Sequence, residues 1–486
     1  MKKLSRRIKY GSMNTVILAV FLAVVVVINL LVSLLIDRFP LTIDLTEDGI
    51  YQLGEESLTF LSELDQDVKI TVLLDESDMT GNGTYFLQAH ESIEQYRLHS
   101  SHVKVEYLDL IKNPNLSSLY PDYTLSQGDI LVECGERVRH YALTELFNIT
   151  TDYTTYTQQV TSSKVEQVIT SAIMQVTDAH PVKVILVEGH GEEVPSSFVE
   201  LLTLNGYELV TQNILREELD DTADMIIICG PTSDYNAAEL EKLDAFLNNG
   251  GKLGRQLIIA AAASYTSLPN LDEFLEEWRI AFNSGFTYET DEERIYRFYG
   301  QAYPVFYYDD IPEDSPYLED MTNKVDPIFT MFSHSVVDLG NSGSYETQPI
   351  LSTSDTMVIL PIDSDENWTP DGLTPQSYND ILLSEKIAYS GTEEYVSSVV
   401  ALSSTELIGD TSLTTSGLNN GNFIISMIND LTGKEAPLTL VPKTFLGTTI
   451  GLSETWVQRF MIFFVIIVPV AVLAAGLVVY IRRRHR

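Results

Sequence analysis

Cysteine is nearly absent: Cys134 and Cys229 are the only two in 486 residues. Two thiols are too few for a disulfide framework, and they fall in predicted strands of separate domains, so both are expected as small buried residues. Where a Cys-x-x-Cys would follow the first predicted strand the chain has "DESDMTGNG", which argues against thiol redox chemistry. No Walker-type lysine loop occurs, so the chain is not expected to hydrolyse ATP. Basic residues are scarce, 30 Lys and Arg against 69 Asp and Glu, for a net charge of −39. A surface of that sign repels phosphate backbones and bare anionic lipid, so nucleic acid is excluded as a partner. No internal repeat is present.

What the chain does have is a long apolar run near each end. Thr15 to Ile36, "TVILAVFLAVVVVINLLVSLLI", carries no charge, and Met461 to Ile481, "MIFFVIIVPVAVLAAGLVVYI", is its counterpart. At about 1.5 Å rise per residue, each is long enough to cross a hydrocarbon core of roughly 30 Å. The first is too long for the apolar part of a cleaved leader and has no small-x-small site after it. Lys2, Lys3, Arg6, Arg7 and Lys9 precede the first run, and Arg482, Arg483, Arg484 and Arg486 follow the second. Positive flanks stay on the cytoplasmic side, so the expected protein is a two-pass plasma-membrane protein with both tails inside and its bulk outside. With those nine cations set apart from the total of −39, the remainder carries −48.

The expected organisation is a cytoplasmic tail (1–14), a transmembrane helix (15–36), and a thioredoxin-like extracytoplasmic domain (37–160). A helical connector (161–180) leads to an α/β domain (181–436) with an insertion near 283–394. A juxtamembrane linker (437–459), a second transmembrane helix (460–481) and a tail (482–486) complete it. In the first domain the spacing predicts helices over 55–64 and 85–98, strands over 68–74 and 103–110, and a hairpin turning near Gly135. The order βαβ, two strands, then a short helix is what a thioredoxin-like domain would show. From 181 strands and helices alternate, which implies a parallel sheet covered on both faces. Predicted strands run over 182–187, 207–211, from 224, from "QLIIAAAA" and over 397–404. The pattern is weak between about 283 and 394, an expected insertion.

The candidate site is "EGHGEE", at the carboxyl end of the first strand of that sheet, where open parallel sheets bind ligands. His190, Glu192 and Glu193 are the possible ligand or partner contacts. The next helix offers free N–H groups to an anion, but Glu188, Glu192 and Glu193 oppose one. His190 and Glu192 lack a third metal ligand at helical or hairpin spacing. The plain alternative is a structural turn built on Gly189 and Gly191. Cys229 precedes Gly230-Pro231, yet Ile227, Ile228 and Pro231 crowd it where a nucleophile elbow needs small residues, so a buried core thiol is expected. Ser403 and Ser404 likewise lack an elbow glycine, and no acidic pair stands out as a glycosidase dyad. No catalytic residue, metal site or cofactor is assigned.

The segments "IDLTEDGIYQLGEESLTFLSELDQDVKITVLL", "VILVEGHGEE", "ADMIIICGPTSDYNAAELEKLDAFLNNGGKL" and "LPNLDEFLEEWRI" stand in an order that resembles GldG-type proteins. These are gliding-motility-associated auxiliary membrane components of ABC transporters. The terminal Trp-x-x-Arg-Phe, apolar run and "RRRHR" are similar to that family's end. The resemblance implies an amidotransferase-like or flavodoxin-like domain and partnership with an ABC-2-type permease and a cytoplasmic ATPase subunit. At "GGKLGRQLII" the chain departs from the family, with alanines where an Asp-Pro is expected, and no Cys suits amidotransferase chemistry. The fold is therefore implied and the activity is not. The leading expectation is a non-enzymatic auxiliary subunit anchored in the bilayer by two helices. The alternative is an anchored cell-surface hydrolase with a site at 188–193. A sensor or adhesin fits less well, since the tails are too short for a signalling domain.

Overall fold

Four of the five residues of Val68–Val72 are β-branched, a composition that suits a pleated, packed surface, and this segment is the first strand, β1. The computed structural model describes residues 49–434, except 122, 153–156, 299–300, 307–310, 312–325, 366–367 and 416, together with 443–444 and residues 20, 24 and 27. Apart from Val20, Val24 and Val27, the expected spans, the tails and most of the juxtamembrane linker therefore lie outside the described residues. Val20, Val24 and Val27 are helical and about half exposed. Among the described residues no helix is long and apolar enough to cross a membrane. Residues Leu53–Lys443 form one unit of mixed α/β structure with parallel and antiparallel sheets.

The unit begins with α1 (Glu55–Glu63), β1, α2 (Glu76–Gly81), α3 (Thr84–His99) and β2 (Val103–Tyr107). After α4 (Leu116–Leu119) come β3 (Ile130–Cys134) and β4 (Arg137–Tyr141). These four strands make one sheet in the order β2-β1-β3-β4, parallel between β1 and β2 and antiparallel elsewhere. The β3–β4 turn needs a left-handed residue, and Gly135 supplies it at φ +61°. A 3-10 turn at Leu143–Leu146 leads into an antiparallel ribbon, β5 (Phe147–Asp152) and β6 (Thr157–Ser163). Then comes α5 (Val165–Thr177), with ten of its 13 residues buried.

The second sheet starts with β7 (Lys183–Glu188), α6 (Ser196–Leu204), β8 (Glu208–Asn213) and β9 (Met225–Cys229). It continues through α7 (Ala237–Asn248), β10 (Gln256–Ala260) and α8 (Pro269–Glu277). After β11 (Ile280–Phe282), the region expected as an insertion holds β12 (Phe286–Glu289), β13 (Ile295–Phe298), β14 (Gln301–Phe306) and β15 (Ile328–Phe329). It also holds β16 (Val336–Asp338), β17 (Tyr345–Ser352), β18 (Met357–Leu360) and β19 (Asn379–Ser390), and is followed by β20 (Glu393–Leu402), α9 (Asp410–Thr414) and α10 (Asn420–Thr432). Part of it stands apart, with β12 on β18 and β13-β14-β15 as a small sheet. The rest extends the main sheet: β19 runs antiparallel to β20, and β16 and β17 pair with β19. The full order is β11-β16-β19-β20-β10-β9-β7-β8, and the five strands from β20 to β8 are mutually parallel.

Burial on both faces explains why β7, β9 and β10 read as near-continuous apolar runs, whereas β8, with Glu208, Thr211, Gln212 and Asn213, is only partly buried. Val184, Leu186, Met225, Ile227 and Cys229 face one way, against Phe198 and Leu202 of α6 and Phe423 and Met427 of α10. Ile185, Val187, Ile226 and Ile228 face the other, against Leu243 and Leu247 of α7 and Leu271 and Phe274 of α8. Helix α5 packs on β3, β4 and α3 on one side and on α6 on the other. Its polar residues are bonded both ways. Thr170 Oγ1 meets the Tyr96 hydroxyl at 2.6 Å and Ser57 at 3.1 Å, while Gln175 Nε2 donates to the Thr203 carbonyl of α6 at 2.7 Å.

Helix α6 has no side-chain cap of its own. Asp410, the first residue of α9, supplies one: its Oδ1 accepts from the Ser197 N–H at 2.9 Å and the Ser197 hydroxyl at 2.6 Å. Those bonds hold its carboxyl below the usual aspartate value, more than burial raises it. Asp410→Ala is expected to cost about 0.5–2 kcal/mol, the usual worth of a helix cap. A folded-state pKa below the unfolded one gives stability that is present above the unfolded value and lost as pH falls through the folded value. Urea unfolding should therefore separate wild type from variant near neutrality and bring them together in acid.

Candidate functional site at the strand-order reversal

Strand β8 lies on one side of β7 and β9 on the other, so the connections leaving β7 and β9 diverge at their carboxyl ends. Open parallel sheets usually take their ligands in the crevice at such a reversal. "EGHGEE" is at that crevice. Gly189 and Gly191 have φ of +135° and +86°, and a Cβ at Gly191 would lie 2.2 Å from Thr232 Oγ1. Only glycine permits so close an approach of the loop after β7 to the loop after β9. The approach is used: the His190 carbonyl accepts from the N–H groups of Thr232 at 2.9 Å and Ser233 at 3.1 Å.

The His190 ring stacks on Tyr235 with centroids 3.9 Å apart and planes 17° from parallel. Its Nε2 is 3.1 Å from Glu239 Oε2, and its Nδ1 is 3.6 Å from Glu192 Oε1, too far for a hydrogen bond. Glu192 Oε2 accepts the His190 N–H at 2.6 Å and Oε1 accepts the Tyr235 hydroxyl. Glu239 is the third residue of α7 and closes a capping box, taking the Asn236 N–H at 2.8 Å. Burial, then the Glu192 carboxylate, holds the Tyr235 phenol well above its ordinary value. The His190 side chain is 5 % exposed, and those of Glu192 and Glu239 are 0 % and 5 % exposed, so a solute cannot reach these carboxylates without opening the loop.

Of the three sequence-nominated residues, the structure joins His190 and Glu192 and leaves Glu193 apart. Glu193 is exposed, and only its N–H takes part, bonding the Cys229 carbonyl at 3.1 Å. Sequence reasoning missed Tyr235 and Glu239. Asn236-x-x-Glu239 is legible as a capping box, but that pattern marks a helix start and says nothing of an imidazole from another loop. Tyr235 carries no sequence signal at all. Among the described residues no group of three or more His, Cys, Asp or Glu is placed to hold a metal ion.

Cys229 is fully buried at the end of β9. Burial first, then the Glu192 and Glu406 carboxylates, pushes its thiol up to about 12, the reverse of what a nucleophilic cysteine needs. Residues 47–145 match a family model described as a domain of unknown function (DUF7088). The match spans α1 to β4, hence the whole four-stranded sheet, and ends before α5 and the His190 crevice. No curated protein matches the chain.

His190→Ala removes a ring that covers two buried carboxylates and is expected to destabilise the protein by about 1–3 kcal/mol, read by urea unfolding. A thiol reagent such as Ellman's at pH 8 should leave Cys229 unmodified in the native protein and titrate it after denaturation.

Proposed function

We propose that this chain is a GldG-type, non-catalytic auxiliary subunit of an ABC-2-type transporter, anchored in the plasma membrane by two helices, with its central unit outside to bind substrate or a partner. One observation carries this reading. At the first turn of α5, Glu166 Oε1 accepts the Gly54 N–H at 2.6 Å while Oε2 pairs with Lys443 Nζ at 2.7 Å. The start and the end of the central unit thus meet on a single carboxylate. Chain leaving from both points would head for the same patch of bilayer, which suits spans at 15–36 and 461–481 with positive flanks on one side. Two helices do not readily enclose a pathway, so a permease is required as partner. The chain lacks a nucleotide loop, so an ATPase subunit must come from elsewhere.

The finer fold reading belongs to the same proposal. The order β2-β1-β3-β4 with one parallel and two antiparallel neighbours supports a thioredoxin-like first domain. For the second, a run of five parallel strands with helices on both faces, ordered two-one-three-four-five by chain position, supports a flavodoxin- or amidotransferase-like domain. The closed bonding around His190 and the high thiol value of Cys229 favour the non-catalytic reading over a cell-surface hydrolase.

Affinity purification of the tagged chain from native membranes in mild detergent is expected to retain a multi-span permease and an ATPase. Recovery of the chain alone would overturn the proposal. Protease added to intact cells is expected to cut within the central unit and spare both tails.

A further inference from the structure

A cleft of about 190 Å³ opens between Phe60 of α1, Met174, Thr177 and Asp178 at the end of α5, Gly206 ahead of β8, and Lys434 after α10. It is smaller than the roughly 300–1,000 Å³ of drug-sized sites, which restricts it to a small occupant. The Lys434 ammonium donates to the Asn205 carbonyl and lies 4.5 Å above the Tyr207 ring. A lysine has three donors, and these contacts do not exhaust them. Asp178 lines the same cleft and acts on Lys434 through space. Its Oδ1 accepts the His180 N–H at 2.9 Å. Cation and anion thus occupy one small cleft, with the apolar side chains of Phe60 and Met174 beside them.

A plain anion entering here would meet Asp178 and a chain of net charge −39; a plain cation would meet Lys434. A molecule bearing both charges satisfies both walls. We propose that this cleft binds a small zwitterion of the α-amino acid class, its carboxylate on Lys434, its ammonium on Asp178 and an apolar side chain against Phe60 and Met174. Gly206 is part of the site: at φ +76° a Cβ there would lie 3.0 Å from Lys434 Nζ and crowd the amine. Burial lowers the Lys434 amine to about 8, with Asp178 opposing. Among the described residues Tyr207, whose hydroxyl burial holds high, lies under it and Asp178 acts on it, while the Arg137 guanidinium donates to the Thr177 and Asp178 carbonyls at the cleft's edge. Binding should accordingly weaken as pH rises through about 8 and the cation is lost. This inference does not rest on the transporter reading.

The test uses the full chain in detergent micelles, titrated calorimetrically at neutral pH with L-leucine as the probe. N-acetyl-L-leucine, which lacks the ammonium, and L-leucinamide, which lacks the carboxylate, are the controls. Leucine is expected to bind, and each control to bind at least about tenfold more weakly, the scale of one charged hydrogen bond. Lys434→Met and Asp178→Asn are each expected to weaken leucine binding by about tenfold or more. Should a variant fail to fold, the comparison of the three probes on wild type decides. Absence of leucine binding, equal binding of the controls, or folded variants that bind like wild type would each overturn the proposal.

Discussion

Helix α5 is buried on nearly every side, ten of its 13 residues being covered, and a helix of that kind needs a wall on each. Val165, Val168, Ile169, Ile173 and Val176 are buried, each contributing roughly 1.5–3 kcal/mol relative to exposure. No single sheet can cover them all. The β3–β4 side takes the larger part of the surface and α6 of the second sheet takes another part. The polar residues obey the same demand, since a buried donor or acceptor without a partner costs more than a hydrogen bond gains. Thr170 is bonded toward α1 and α3, and Gln175 toward α6. Removing either sheet would leave both greasy and polar surface of α5 unmatched, so the two sheets are expected to unfold as one cooperative body rather than as independent domains.

The same economy of unpaired groups shapes the crevice. The carboxyl edge of a parallel sheet is usually where backbone amides are left for a ligand. In this protein the loop after β9 gives its amides to the His190 carbonyl, Tyr235 gives its hydroxyl to Glu192, and the start of α7 gives an amide to Glu239. Groups that would hold a substrate hold one another. The cleft at Lys434 differs in kind, because its opposite charges face a shared space without an ion pair joining them.

Much of the fold was legible. Apolar runs gave β1, β7, β9 and β10, helical spacing gave α1 and α3, the expected connector holds α5, and Gly135 marked its hairpin. Gly189 and Gly191 of "EGHGEE" do stand in a left-handed turn at the end of β7, the plain alternative among the sequence expectations. The region from 283 to 394 was opaque for a physical reason. Strands such as β17, with only two of its eight positions buried, and β19, which carries Ser384, Glu385 and Lys386 in mid-strand, lack a continuous apolar signature. β19 takes its place by pairing with β20, and β17 by pairing with β19, partners unknown until the chain is folded. Site contacts failed for the same cause: Glu239 meets His190 across almost fifty positions, and Lys434 meets Asn205 across 229. No local pattern encodes such distances.

Glu166 has one more implication, independent of any membrane. A body whose first and last segments are clasped by one side chain has its entry and its exit side by side. Such a unit can be spliced into a bend of another polypeptide without prising apart the flanking strands or helices. The whole α/β assembly could thus have entered its present setting as a single insertion, and Gly54 and Lys443 are where the seam would lie.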